Sequence, residues 1–317
     1  MSAASFKDGT VPSVFIDGEA GTTGLGIRER LQSLGGITVK SIDPDLRKDA
    51  KARQAMMAAV DLVVLCLPDA AAREAVALAR DLGADAPRIL DASTAHRTDP
   101  AWTYGFAELA EGQADAIRAA RLVANPGCYA TGAIALLRPL VDCGLIPSDF
   151  PLTINAVSGY SGGGRTMIED FEAGRAPAFE LYGLGFNHKH LPEMTALSRL
   201  DVAPIFIPSV GNFRQGMLVS VPLNLSSLPA QPPAEDLAAS LAARYRDCEF
   251  VRVIGIEGSH ATGGRLDAEA LNNTDNLEIF VFSDKDGGRV LLVARLDNLG
   301  KGASGAAVQN IKLMLGQ

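Results

Sequence analysis

Two patterns of hydrophobicity divide this 317-residue sequence and predict an α/β protein, a doubly wound parallel sheet followed by an α+β domain. In the first part, short unbroken apolar runs alternate with helix-like segments, as parallel strands covered on both faces do. Beyond about residue 150 the runs alternate in polarity and crowd together with few helices between them, as antiparallel or mixed pairing requires. The length exceeds what a single hydrophobic core usually fills, so two domains are expected.

The elements follow in order. Ser13 to Asp17 is a short apolar strand, Thr23 to Leu34 a helix, Ile37 to Asp43 a strand and Leu46 to Val60 a helix. Asp61 to Leu67 reads as a buried strand, Ala70 to Leu82 as an Ala-rich helix and Arg88 to Ala92 as the next strand. The run Arg121 to Ala124 breaks at Pro126-Gly127, and Cys128 opens a helix-like stretch, Tyr129 to Leu140. Strand candidates then come at Leu152 to Val157, Ala203 to Ile207, Met217 to Leu223, Phe250 to Ile254, Leu277 to Phe282 and Val290 to Leu296. Asp284 to Gly288 is a hairpin turn between the last two. Pro229 to Pro233 precedes a helix at Ala234 to Tyr245, and Lys301 to Leu315 is a closing helix. No repeat or low-complexity tract interrupts the pattern.

Composition narrows the function. Hydrophobic residues make up 47% and charged residues 21%, as in an ordinary globular protein. With a formal net charge of −8 and no basic run beyond Arg47-Lys48, non-specific nucleic-acid binding has little electrostatic support, and small polar partners fit better. The four cysteines, at 66, 128, 143 and 248, form no Cys-x-x-Cys pair, which suits a reducing compartment better than a disulfide framework or a zinc site. The first 13 residues, with Lys7 and Asp8, show no leader-like apolar core, and no run approaches the ~20 residues of a membrane span. A cytoplasmic protein without a membrane partner is therefore expected. Asn272-Asn273-Thr274 matches a glycosylation acceptor but is read as a loop.

The most informative segment is Asn125-Pro126-Gly127-Cys128. A thiol in the first turn of a helix faces N–H groups without intrahelical acceptors and the positive end of the helix dipole, which favour thiolate, the nucleophilic form. Cys66, Cys143 and Cys248 are read as packing residues. A second motif, Gly18-Glu19-Ala20-Gly21-Thr22-Thr23-Gly24, joins the first strand to the first helix with the spacing G-x-x-G-x-x-G. Glycine there lets backbone amides approach a pyrophosphate at a helix N-terminus, so Gly18, Gly21, Thr22, Thr23 and Gly24 are cofactor candidates. Asp43 stands about where a carboxylate takes the ribose hydroxyls of NAD, whereas Arg47 and Lys48 suit the 2′-phosphate of NADP. Both cofactors remain open on this reasoning.

His188-Lys189-His190-Leu191-Pro192-Glu193 offers an acid/base pair, His190 with Glu193 turned back toward an imidazole. A metal pair is the alternative, but no third ligand stands at an obvious spacing. Ser158 to Arg165 brings backbone amides and a guanidinium to an anion or is a flexible loop. Asp91 to Arg97, at the carboxyl end of a strand, makes Arg97 a candidate for a phosphate or carboxylate, with His96 read as a surface residue. Asn298 to Gly305 reads, on spacing alone, as an ordinary helix entry.

Taken together, Gly18 to Gly24, Asp91 to Arg97, Asn125 to Thr131, Ser158 to Arg165, His188 to Glu193 and Asp297 to Asn310 resemble the N-acetyl-γ-glutamyl-phosphate reductases of arginine biosynthesis. The turn Glu-Ala-Gly-Thr-Thr-Gly matches the shorter (type 2) branch rather than the aromatic-bearing turn of the longer one. The resemblance implies a Rossmann-like dinucleotide-binding domain, residues 1–127 completed by 298–317. It also implies a catalytic and oligomerisation domain, residues 128–297, of the semialdehyde and glyceraldehyde-phosphate dehydrogenase type. It further implies NADPH as cofactor, no metal, and a homodimer or homotetramer acting on a small acyl phosphate. Cys128 would form a thioester, with His190, oriented by Glu193, moving the proton. His188 and Arg165 would meet the substrate carboxylate and Arg97 its phosphate, and Ser93 and Asn298 would join the glycine turn at the cofactor. The competing readings are a reductase of aspartyl or aminoadipyl phosphate, a non-catalytic dinucleotide-binding regulator and a cysteine hydrolase; the last leaves the glycine turn unexplained.

Overall fold

A computed structural model describes Phe6, Lys7, Gly9 and residues 11–317; Asp8 and much of the segment read as lacking a leader lie outside the described residues. The first elements are β1 (Ser13–Asp17), α1 (Thr22–Leu34), β2 (Thr38–Lys40), α2 (Ala50–Ala58), β3 (Leu62–Leu65), α3 (Asp69–Arg80), β4 (Arg88–Asp91), β5 (Thr103–Tyr104), α4 (Gln113–Ala119) and β6 (Leu122–Ala124). They are followed by α5 (Cys128–Asp142), β7 (Thr153–Gly159), α6 (Gly164–Glu172), β8 (Phe179–Leu181), α7 (Leu191–Leu197), β9 (Ile205–Gly211) and β10 (Met217–Asn224). The chain ends with α8 (Ala234–Tyr245), β11 (Val251–Ile254), α9 (Gly255–Ala261), β12 (Leu277–Ser283), β13 (Arg289–Leu296), a π-helical turn at Gly300–Ser304 and α10 (Gly305–Leu315). No helix among the described residues is long and apolar enough to cross a membrane.

The chain divides into two units, one of Met1–Ala107, Glu111–Pro126 and Ala303–Gln317, the other of Glu108–Ala110 and Gly127–Gly302. In the first, six strands in the order β2-β1-β3-β4-β6-β5 pair in parallel throughout. Ile27 and Leu31 of α1, Ile117 of α4 and Ile311 and Met314 of α10 fill one face. Met57 of α2 and Ala72, Ala75 and Val76 of α3 fill the other. This is a doubly wound sheet, and its order turns at β1 and β3, where such folds bind ligands. The closing helix belongs to this unit, where Asn310 Nδ2 donates to the Gly105 carbonyl at 2.8 Å and to Asn125 Oδ1 at 3.0 Å.

Two elements of this unit are shorter than the apolar pattern suggests. β2 stops at Lys40 because Asp43 caps a 3-10 turn over Pro44–Leu46, accepting from the Asp45 amide at 2.9 Å. α2 starts only at Ala50, where Asp49 accepts from the Ala52 amide at 2.7 Å. His96, expected at the surface, is buried: its Nδ1 lies 2.6 Å from Asp91 Oδ2 and its ring stacks on Trp102 with centroids 4.2 Å apart. A turn that folds back over the strand end brings these partners together, which polarity alone does not reveal.

The second unit is built on a mixed sheet in the order β11-β12-β13-β10-β7-β9-β8. α5 lies on one face so closely that a Cβ at Gly132 would meet Val219 Cγ2 at 2.7 Å. Tyr129 to Leu140 of this helix are buried throughout. Pro139 sits inside it and has no N–H to give the Ala135 carbonyl. The buried hydroxyl of Tyr245 donates to that carbonyl at 2.9 Å, so the missing bond is replaced from α8. On the opposite face Leu218, Leu291, Phe282 and Val157 line an open apolar hollow, and Phe179 and Leu181 beside it are 57% and 50% exposed.

Candidate active site

The glycine turn shows why its residue types are needed. Gly18 has φ of +90°, and a Cβ there would lie 2.3 Å from the Cys66 carbonyl oxygen; at Gly24 it would lie 2.7 Å from the Gly18 oxygen. Backbone therefore occupies the space a side chain would need, and the turn folds tightly over the ends of β1 and β3. Gly21 is the N-cap of α1, so Thr22 and Thr23 supply its first N–H groups. Glu19 accepts from Arg28 Nη1 at 2.5 Å, Ser41 Oγ at 3.0 Å and Arg47 Nη2 at 3.2 Å.

In the same unit, Ser93 follows β4, its hydroxyl donating to Asp91 Oδ2 at 2.7 Å and its amide to Asp91 Oδ1 at 2.9 Å. Arg97 donates through Nε to the Asn125 carbonyl at 3.0 Å. Cys66 is a packing residue, its thiol pushed up to about 12 by burial and by the Asp91 and Asp17 carboxylates.

In the second unit, Cys128 is the first residue of α5, half-buried, behind the extended N-cap Gly127. Glu193, 1% exposed in the first turn of α7, accepts the Gly127 backbone N–H at 3.1 Å. That bond joins the start of α7 to the peptide that presents the sulfur. The other flank is closed by Gly302, where a Cβ would stand 2.8 Å from Cys128 Cβ. Glycine at 302 is thus a steric requirement of the Cys128 side chain's position.

Around this point the imidazoles pack among aromatic rings. His190 is the N-cap of α7 and 5% exposed, and its backbone N–H donates to His188 Nδ1 at 3.1 Å. The His188 and His190 rings meet edge-on with centroids 4.8 Å apart, and the Tyr129 ring lies 5.7 Å from His188 and 6.0 Å from His190. Burial, with Lys189 nearby, lowers His188 to about 4, so its imidazole is neutral at pH 7 and offers one N–H rather than a charge. Tyr182 donates to the Tyr129 hydroxyl at 3.1 Å, which donates to the Ser209 carbonyl at 2.8 Å. Burial raises both phenols, Tyr182 to about 12, so both remain protonated.

Asn298 Oδ1 accepts from the Gly216 amide at 2.8 Å and its Nδ2 donates to Ser161 Oγ at 2.9 Å. The segment 297–302 and the Tyr160–Gly163 turn are joined through this side chain. Arg165 follows that turn as an exposed residue of α6. The structure therefore gathers Cys128, His188, His190 and Glu193 about the start of α5. Gly18 to Gly24, Ser93 and Arg97 belong to the first unit. Tyr182, Gly302 and the Glu19 cluster were not singled out from the sequence, where the glycines of 300–305 read as an ordinary helix entry; their close backbone approach was the signal that could have found Gly302.

Comparisons with known proteins bear on this arrangement. The family model for the semialdehyde dehydrogenase dimerisation domain matches residues 128–298. Proteins named N-acetyl-gamma-glutamyl-phosphate reductase from Brucella ovis and Brucella melitensis are each 52% identical over 96% of this chain and 99% of theirs. Among solved structures, aspartate semialdehyde dehydrogenase II of Vibrio cholerae superposes with a TM-score of 0.68 at 16% identity, covering 97% of this chain and 99% of that one. The Candida albicans aspartate semialdehyde dehydrogenase, solved with NADP, gives 0.62 at 12% identity over 96% of this chain and 98% of its own. At these identities the structural likeness establishes the fold.

Proposed function

Because the chain belongs to the N-acetyl-gamma-glutamyl-phosphate reductase family, we propose that it reduces N-acetyl-γ-glutamyl phosphate with NADPH to N-acetyl-glutamate 5-semialdehyde and phosphate, a step of arginine biosynthesis. The observation that carries this reading is Cys128 at the start of a buried helix, with Gly302 against one flank and Glu193 bonded to the preceding peptide. Two relatives of this reading, reduction of aspartyl phosphate or of an aminoadipyl phosphate, use the same chemistry and are separated by substrate. A non-catalytic regulator gives no role to a cysteine so placed.

The residues of the first unit fit a dinucleotide. A turn in which a Cβ at Gly18 would collide with backbone, followed by the N-terminus of α1, is a cradle for a pyrophosphate. Gly18, Gly21, Thr22, Thr23, Gly24 and Ser93 would hold the cofactor, with Asn298 toward its nicotinamide end. When bound, NADPH supplies the hydride that reduces the acyl carbon.

Cys128 thiolate attacks the acyl carbon, the carbon–oxygen bond to phosphate breaks, and a thioester remains on sulfur. The thioester is a better hydride acceptor than a carboxylate, and after reduction the sulfur leaves as thiolate while the aldehyde carbonyl forms. His190 gives a proton to the developing oxyanion and accepts it back on collapse. Glu193 holds the Gly127 peptide and so the direction of the sulfur, in addition to orienting the imidazole. Arg165 supplies positive charge to the substrate carboxylate, with neutral His188 contributing a hydrogen bond. Arg97 meets the phosphate.

The protein would act in the cytoplasm as a homo-oligomer. A second copy covering the open sheet face would bury Leu291, 38% exposed, together with Phe179 and Leu181. Leu291→Arg should shift the solution mass toward the monomer in light scattering; an unchanged mass would remove this face from the assembly. The activity is tested with N-acetyl-glutamate semialdehyde, phosphate and either NADP or NAD. Reduction of NADP that requires phosphate is expected, with NAD slower, and the corresponding aspartate or aminoadipate semialdehydes much poorer.

A further inference from the structure

Three donors from three separate parts of the first unit converge on the Glu19 carboxylate. Arg28 lies on α1, Ser41 directly follows β2, and Arg47 follows the 3-10 turn, at 2.5, 3.0 and 3.2 Å respectively. The carboxylate is 11% exposed, whereas the two arginine side chains are 32% and 42% exposed. Glu19 itself stands directly after Gly18, whose positive φ fixes the turn at the end of β1.

In doubly wound folds the region beyond β2 faces the adenosine ribose. Guanidinium groups bind carboxylates and phosphates with the same forked geometry, and a hydroxyl donates to either. A carboxylate and a phosphate cannot both sit on these donors without like-charge repulsion. The arginine ends of these pairs are partly exposed and screened by solvent, so they can be exchanged, and a phosphate ester brings more charge and three acceptor oxygens.

We infer that Glu19 is a resident carboxylate that occupies the donors of Arg28, Ser41 and Arg47 and gives way to the 2′-phosphate of the bound dinucleotide. This rests on the proposed use of NADPH and deepens it. Glu19 keeps the two arginines gathered before a nucleotide arrives and sets the affinity for phosphorylated over unphosphorylated dinucleotide. It is thus a specificity-determining residue.

The test is calorimetric titration of wild-type protein and Glu19→Gln with adenosine 2′,5′-bisphosphate and with adenosine 5′-monophosphate, independent of any turnover. Glu19→Gln should bind the bisphosphate roughly three- to tenfold more tightly, the size of an exposed ion pair, with the monophosphate unchanged. Adding Arg28→Ala and Arg47→Ala together should abolish the gain. Unchanged or weaker bisphosphate binding in Glu19→Gln overturns the exchange, as does a gain that survives the loss of both arginines. A wild-type protein that does not discriminate between the two nucleotides overturns the NADPH reading of this site as well.

Discussion

Cys128→Ser is expected to lose phosphate-dependent reduction of NADP by on the order of 10³-fold or more, while NADPH binding, read by cofactor fluorescence, stays intact. The magnitude follows from the roles assigned to one atom. Sulfur is nucleophile in the first half of the cycle and leaving group in the second, and a serine hydroxyl at neutral pH performs neither well. The substitution is nearly isosteric, and the packing of Gly302 against the Cβ is unchanged by it. The variant should therefore fold and bind cofactor as the parent does. Mass spectrometry of the wild-type protein quenched during turnover should show the acyl adduct on Cys128, absent from the serine variant. Full activity in Cys128→Ser would end the covalent mechanism.

His190→Ala should lower turnover by ~10²–10⁴-fold, with the thiol still reactive toward iodoacetamide. The pH dependence separates this residue from its neighbour. His188 titrates at about 4, its charge disfavoured by burial, so it changes no charge between pH 5 and 8. The pH–rate profile of His188→Ala should therefore keep the parent's shape over that interval. A changed profile in the His188 variant, with an unchanged one in His190→Ala, would transfer the proton-moving role to that ring. His188 also accepts the His190 backbone N–H, so His188→Asn, which keeps an acceptor, is the better control for the local turn.

The sheet strands were legible because buried parallel strands leave unbroken apolar runs; Ser13–Asp17 coincides to the residue, as does the helix Ala234–Tyr245. Helices α4, α6 and α9 were not, since each opens near a glycine of positive φ, at 112, 164 and 255, and is too short for a clear periodicity. The exposed edge strand Phe179–Leu181 has no core-facing alternation to read. Local turn chemistry marked out Cys128 and the glycine loop. The bond from Gly127 to Glu193 spans 66 positions, and spacing carries no information about such a meeting. The burial of His96 was invisible for the same reason, because Asp91 and Trp102 enclose it only after the turn has formed.

Gly302 has a consequence for the energetics of each cycle. With the Gly302 backbone against its Cβ, the Cys128 side chain has one flank closed before substrate arrives. In the proposed acylation, part of the ordering that places the sulfur was already incurred when the polypeptide first collapsed. That share of the cost belongs to the birth of the molecule, not to every turnover.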